Sequence, residues 1–346
     1  MYKEKTFCDL PFNKIKLWPD GNITNCCNQD KNSIGNIFEK SFEKIWFEGV
    51  INEIREHTKN KKLHKICKKF NCPFKYTLRE LKDFNFELYP THLEIDIPDS
   101  QCNIGGEDPL KTGGACLMCK RNSKFYQKEE DRLYEALEKI KHLIKYLTFI
   151  HIQGIAEPFW KDHIYNILEV LNYKYYKNKI TISSLTNGIL LNEKNNKKIL
   201  NMCPTIIMGI SIDAASNETF RKIRKVDAFD LIKNNIKNFI KNKNSNDQKI
   251  WITNNINILN VHETVDMIDM AADLGVDWVE IAPTQVANEF CKEIMVNQNN
   301  FQVFKDAELG AQKRAKELGI PLRIFGTLTG KFDLQRTASD LIQISI

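Results

Sequence analysis

From residue 91 onward, six short β-rich runs at 91–97, 147–153, 180–185, 206–212, 250–258 and 278–282 alternate with stretches of amphipathic helical spacing. Strands separated by helix-length crossovers pair in parallel, because a parallel neighbour is reached only by a long connection that returns over the sheet. In the first crossover Leu133, Leu137, Ile140, Ile144 and Leu147 recur at helical intervals, with Ala136 and Leu143 widening the stripe. Val261, Val265, Ile268 and Ala272 repeat the pattern before Gly275, a residue suited to ending a helix. Six such units predict an α/β fold of about three quarters of a TIM-like barrel, a partial (β/α)6 arrangement. A further helix over 304–318 leads into Pro321-Leu-Arg-Ile-Phe325, and residues 331–346 form a tail without a readable pattern.

The first 90 residues follow no such rhythm. Lys14-Ile-Lys-Leu-Trp18, the turn Pro19-Asp-Gly21 and Asn22-Ile-Thr24 spell a hairpin, in which proline presets the turn and glycine accepts positive φ. Ile15, Leu17 and Ile23 alternate along it, and a single helix is expected to carry Phe42, Ile45, Trp46 and Ile54 on one face. A segment this small builds little core, so a metal cluster stapling its loops would make physical sense. The boundary falls near 88–90, giving a cysteine-rich domain over 1–90, a barrel over 91–330 and the tail.

The N-terminus carries charge but neither an apolar core nor a small-residue cleavage site, and the longest apolar runs fall short of the roughly 20 residues that span a bilayer. A cytoplasmic protein without a membrane partner is expected. There thiols stay reduced, so the ten cysteines read as metal ligands or redox groups instead of disulfides. Five lie in the first 72 residues (Cys8, Cys26, Cys27, Cys67, Cys72), three lie together (Cys102, Cys116, Cys119), and Cys203 and Cys291 stand alone as ordinary buried residues. The net charge of +6 comes from lysines spread over many segments, with no basic block interleaved with aromatics, which argues against a nucleic-acid partner.

Cys102, Cys116 and Cys119 follow the first barrel strand, on the face where loops after parallel strands form active sites. Three thiolates ligate three irons of a four-iron cubane and leave the fourth iron open to a substrate or cofactor. A zinc site is the alternative and needs a fourth ligand, such as His92. Downstream, the second strand ends in Gln153-Gly-Ile-Ala-Glu-Pro158, the third in Leu185-Thr-Asn-Gly188, the fourth in Gly209-Ile-Ser-Ile-Asp213 followed by Phe220-Arg-Lys-Ile-Arg224, the fifth reaches Asn260 and Glu263, and the sixth ends in Ala282-Pro283.

This ordered series over 91–285 resembles the radical S-adenosylmethionine (SAM) superfamily. The resemblance implies a four-iron, four-sulfur cluster on Cys102, Cys116 and Cys119 whose open iron binds SAM, with Gly154 and Glu157 at its amino group, Ser211 and Asp213 near its ribose, and Arg224 placed to pair with a carboxylate. Three features depart from the family pattern. Thirteen residues separate Cys102 from Cys116 where three are usual, in a loop containing Gly105, Gly106, Gly113 and Gly114 that permit a tight return; Met118 replaces an aromatic; and Ala156 replaces a glycine.

Cys8, Gly21 and Cys26, with Ser33 to Ile37, Phe42 to Trp46 and the pair Cys67 and Cys72, resemble SPASM or twitch auxiliary-cluster domains, which normally follow the barrel. That resemblance implies a second four-iron cluster on Cys8, Cys26, Cys67 and Cys72, with Cys27 as a spare or a substitute; a zinc ribbon is the alternative. The function implied is a radical SAM oxidoreductase or maturase acting on a peptide, protein or sugar-like small molecule, supplied with electrons by a donor such as flavodoxin or ferredoxin. A zinc-stabilised binding or scaffold protein on a degenerate barrel is the competing reading.

Overall fold

The computed structural model describes residues 8–26, 33–60, 62, 64–65, 88–98, 100–105, 114–123, 130–297 and 299–324. Cys27, Cys67, Cys72, Gly106, Gly113 and the 331–346 tail lie outside them. The chain opens with α1 (Leu10–Asn13), β1 (Lys14–Leu17), β2 (Asn22–Thr24), β3 (Gly35–Asn36), α2 (Phe42–Phe47) and α3 (Val50–Lys59). The alternating region follows as β4 (His92–Asp96), α4 (Leu133–Ile140), β5 (Phe149–Gln153), α5 (His163–Val170), β6 (Thr181–Thr186) and α6 (Glu193–Met202). It continues through β7 (Ile206–Ser211), α7 (Asn217–Arg224), α8 (Phe229–Asn242), β8 (Gln248–Ile256), α9 (Thr264–Leu274), β9 (Trp278–Pro283), α10 (Cys291–Ile294), α11 (Phe301–Leu318) and β10 (Leu322–Ile324).

All six expected strands form, as β4 to β9, and each pairs with the next in parallel, with β10 added beyond β9. The helix expected across Phe42 to Ile54 is instead two helices, because Glu48 is extended and Gly49 sits at φ +71°. Phe42, Ile45, Trp46 and Ile54 are buried all the same. The hairpin forms as β1 and β2, and β1 also pairs in parallel with β4, Lys14 opposite His92 and Leu17 opposite Ile95. The sheet therefore runs unbroken from the cysteine-rich segment into the barrel, in the order β10-β9-β8-β7-β6-β5-β4-β1-β2-β3.

Successive residues of a strand face opposite sides, and registered neighbours share a side. One side carries Ile150, Ile152, Ile182, Ile206, Met208, Ile210, Ile250 and Ile252, all buried in the main core. A parallel sheet covered on both faces is normally apolar on both. Here the other side carries Lys14, Lys16, Glu94, Asp96, His151, Gln153, Ser183, Trp251, Thr253 and Glu280 in matching registers. Lys14 Nζ lies 2.5 Å and Lys16 Nζ 3.2 Å from the Glu94 carboxylate, and Lys16 Nζ lies 2.6 Å from Asp96. Gln153 donates a further hydrogen bond to Glu94. These four charges cancel, which is how a sheet face can bury them.

Toward the amino ends of β8 and β9, Trp251 and Trp278 stack with ring centroids 5.0 Å apart, and both indoles donate to Glu280 at 3.0 Å. Gly209 makes room for this pair, since a Cβ there would lie 2.4 Å from both Leu185 and Trp251. No helix among the described residues is long and apolar enough to cross a membrane.

Candidate functional site

The loops after β4 to β8 enclose a cavity of about 200 Å³ lined by Cys102, Cys116, Cys119, Met118, Arg121, Gly154, Ser211, Asp213, Arg224 and Asn255, among others. The three barrel cysteines and four of the five expected SAM contacts therefore share one space. Cys102 is buried just past β4, and burial, reinforced by Glu157, pushes its thiol up to about 12. Such a thiol stays protonated at neutral pH until a metal replaces its proton.

The thirteen-residue excursion between Cys102 and Cys116 closes at its neck. Gly105 has φ +78°, and a Cβ on it would lie 2.9 Å from the Gly114 carbonyl and 3.1 Å from the Ala115 backbone. Backbone packs directly on backbone there, which returns the chain to the cavity as the glycines predicted. Cys116 and Cys119 then flank a tight turn, with the Cys119 N–H donating to the Cys116 carbonyl at 2.9 Å. Asn122 secures it locally, its Nδ2 donating to the Ala115 and Cys116 carbonyls at 3.0 and 2.6 Å.

Gly154 takes φ +142°, and a Cβ there would meet the Ile97 carbonyl at 2.6 Å, so only glycine lets β5 leave the sheet this close to β4. Asp213 is wholly buried: Oδ2 pairs with Arg224 Nη2 at 2.6 Å and Oδ1 accepts the Asn255 N–H at 2.8 Å. The carboxylate that Arg224 pairs with is thus the protein's own. Burial opposes charge on Arg224, but Asp213 and then Cys116 more than restore it, so its pKa lies above the ordinary arginine value. Arg224 Nη1 also reaches Cys116 Sγ at 3.9 Å, while its buried Nε has no partner. Neither Ser211 nor Asp213 caps the next helix; Ser216 does, accepting the Thr219 N–H.

Glu157 does not line the cavity. It is fully buried and accepts hydrogen bonds from Thr186 Oγ1 at 2.6 Å, Asn187 N at 2.8 Å and Phe159 N at 3.2 Å, tying the loop after β5 to the end of β6. Burial pushes its carboxyl up to about 7 against these donors. All three donors come from the chain itself.

Asn260 and Glu263, which close the fifth strand's segment, were given no role from sequence, and Asn257 and Thr284 were not singled out; all four hold the site. Glu263 accepts from the Ala215 and Ser216 N–H groups at 2.7 and 3.2 Å and from Thr219 Oγ1 at 2.6 Å, fixing the loop between Asp213 and Arg224. Asn260 Nδ2 donates to the Asp213 carbonyl at 2.9 Å. Asn257 Nδ2 and Thr284 Oγ1 both donate to Met118 Sδ at 3.2 Å. The signal available was a run of asparagines, Asn254, Asn255, Asn257 and Asn260, in an otherwise apolar strand end.

The second cysteine group lies elsewhere. Cys8 precedes β1, and the antiparallel register brings Cys26 level with Lys14, at the amino ends of strands whose carboxyl ends carry the cavity. Both are half-buried. Among the described residues no three His, Cys, Asp or Glu side chains converge on one metal ion. A cubane does not require convergence, because each thiolate meets its own iron. Three thiols and a guanidinium with an unpartnered Nε around one cavity, beside a glycine that admits no side chain, fit an anionic cluster and a zwitterionic ligand.

Residues 113–262 match the family model described as the radical SAM superfamily, and residues 8–73 match that of an iron-sulfur cluster-binding domain, SPASM. The chain thus carries both domains; a four-iron, four-sulfur cluster and SAM go with the first and auxiliary iron-sulfur clusters with the second. No curated protein sequence matches. The fold is shared with native anSMEcpe with bound AdoMet, at 17% identity over 68% of this chain and 64% of that one, TM-score 0.50. It is also shared with Streptococcus suis SuiB bound to precursor peptide SuiA, at 16% identity over 88% and 57%, TM-score 0.53. The chain therefore spans less than two thirds of the length of either structure.

Proposed function

We propose that the chain is a radical SAM oxidoreductase or maturase that abstracts hydrogen from a peptide, protein or sugar-like substrate, for oxidation or cross-linking. The observation that carries this reading is the single cavity shared by Cys102, Cys116, Cys119, Gly154, Ser211 and Arg224, drawn from the loops after β4 and β5, the end of β7 and the end of α7. SuiB was solved with a precursor peptide, which favours a peptide among the three substrate classes.

In this reading Cys102, Cys116 and Cys119 hold the cluster, and Cys8, Cys26, Cys67 and Cys72 hold a second one, within a domain division of 1–90, 91–330 and 331–346. The chemistry the first cluster would supply is one-electron cleavage of SAM to methionine and a 5′-deoxyadenosyl radical, fed by a donor such as flavodoxin or ferredoxin. Arg224 offers its Nε and the edge beside Cys116 to an anionic group, while Asp213 holds the guanidinium in place. Gly154 lets the chain leaving β5 pack directly on the Ile97 backbone at the cavity wall.

Anaerobic reconstitution followed by iron and sulfide counting tests the proposal. About eight irons per chain are expected for two clusters, with 5′-deoxyadenosine formed on reduction in the presence of SAM. Cys116→Ala abolishes SAM cleavage and Cys8→Ala lowers iron to about four. Zinc without iron, or no 5′-deoxyadenosine from the loaded wild-type chain, refutes it.

A further inference from the structure

The segment that follows β9 lies across the turn bearing Cys116 and Cys119, and one side chain on it makes an arrangement that no motif records. Asn288 is buried, and its Nδ2 donates to the Leu117 carbonyl at 2.7 Å and to the Cys119 carbonyl at 2.9 Å. Its Oδ1 accepts the Cys291 N–H at 3.0 Å. A backbone N–H only donates and a carbonyl only accepts, so these three partners leave one possible orientation of the amide.

The surrounding contacts complete a pattern. Cys119 N and Asn122 Nδ2 occupy the Cys116 carbonyl, Asn288 occupies that of Leu117, and the Cys291 thiol lies 3.9 Å from that of Met118. The Cys119 carbonyl takes both Asn288 and the Asn122 N–H. Every carbonyl of the turn is therefore engaged, two of them by one amide that lies 169 and 171 residues away along the chain. The direction of each cysteine side chain depends on the peptide planes on either side of it. The Cys119 carbonyl lies in the plane that follows Cys119 and the Leu117 carbonyl in the plane midway between the two cysteines, so one rigid amide holding both fixes the path of the turn and with it the directions in which the two sulfurs leave it.

We infer that Asn288 is a positioning residue for the cluster-binding turn, preorganising Cys116 and Cys119 to meet two irons of one cubane, which rests on the cluster assignment proposed above. Asn288 touches neither the metal nor SAM in this role; it acts through the backbone. Preorganisation of ligands by a supporting hydrogen bond is felt mainly as retention of the metal.

The test is the rate at which a ferrous chelator strips iron from the reconstituted, full-length protein, together with the electron paramagnetic resonance spectrum of the reduced cluster with and without SAM. Asn288→Asp keeps the shape and the Cys291 contact but turns a carboxylate oxygen toward two carbonyls, so iron loss is expected to quicken roughly tenfold or more and the SAM-dependent spectral change to weaken. Asn288→Ser retains one donor and Asn288→Ala none. Loss rates ordered wild type, Ser, Ala support the inference even where the Asp variant does not fold. A merely structural role would lower the thermal midpoint of the metal-free protein without changing the spectrum of the iron that remains. Variants that keep wild-type loss rates and spectra overturn the Asn288 inference alone. A wild-type chain that takes up no iron overturns it together with the cluster assignment.

Discussion

Glu94→Gln should reveal how the amino-terminal hairpin is bound to the barrel. The Glu94 carboxylate is buried between Lys14 at 2.5 Å and Lys16 at 3.2 Å, both on β1, and Gln153 on β5 also donates to it. Neutralising it leaves Asp96, 2.6 Å from Lys16, as a partner for only one of the two ammonium groups. Removing one member of a buried pair costs about 3–5 kcal/mol, and because Lys14 retains some access to water the low end, about 3 kcal/mol, is expected. Urea unfolding followed by tryptophan fluorescence at pH 7 measures the loss. Adding Lys14→Met removes the stranded charge, so the double variant should recover part of that loss, which a double-mutant cycle expresses as coupling. The pH dependence gives a second reading. Burial alone would raise the Glu94 pKa, but Lys14 and Lys16 outweigh it and hold the value well below the ordinary 4.5. A carboxylate depressed in this way contributes stability above pH 4.5 that is lost as pH falls through the folded-state value. The gap between wild type and Glu94→Gln should therefore narrow from pH 7 toward pH 3. A difference under about 0.5 kcal/mol at pH 7, or one independent of pH, refutes the reasoning.

Gly209→Ala places a Cβ 2.4 Å from Leu185 and Trp251, so overpacking of about 1–3 kcal/mol is expected, with a changed near-ultraviolet circular dichroism signal as the Trp251–Trp278 stack shifts. Glu263→Gln should cost about 1.5–3 kcal/mol of urea stability at pH 7 and expose the loop between Asp213 and Arg224 to proteolysis. Burial opposes the Glu263 charge, but the Ser216 and Thr219 hydroxyls outweigh it and lower its pKa, so this loss too should shrink below pH 4.5. Gly154→Ala forces a side chain against the Ile97 carbonyl at a φ of +142°; at about 1–3 kcal/mol of strain, SAM affinity measured by equilibrium dialysis of the reconstituted protein should fall together with the thermal midpoint.

The barrel strands were legible because each is a short apolar run bounded by helical spacing, and that signal is local. The junction of hairpin and barrel was not, because its partners are 78 residues apart in sequence, as Lys14 and His92 show, and pairing at that range leaves no local pattern. Lys14 and Lys16 alternate with Ile15 and Leu17 as a half-exposed strand would, yet the polar side faces Glu94 and Asp96 instead of water. The three barrel cysteines were legible from type and order, and the cavity unites them. The internal pairing of Asp213 with Arg224 was not, since a motif records which residues are present and not which of them neutralise each other. Gly49 shows the opposite case: a helix-breaking residue stood in plain view between two apolar turns, and its positive φ divides what periodicity alone joins.

The continuity of the sheet changes what the amino-terminal segment can do. Had the hairpin been a separate module, its cysteines would have had no defined relation to the cavity. Because β1 pairs with β4 in parallel, Cys8 and Cys26 are held at the amino ends of the same strands whose carboxyl ends carry Cys102, Cys116 and Cys119. The polar side of the sheet runs from one cysteine group to the other, and its charges at Lys14, Lys16, Glu94 and Asp96 are mutually neutralised. In the proposed enzyme the N-terminal position of the cysteine-rich domain is thus compatible with two clusters at opposite ends of one sheet: the position of the domain along the chain matters less than the edge of the sheet to which it adds its strands.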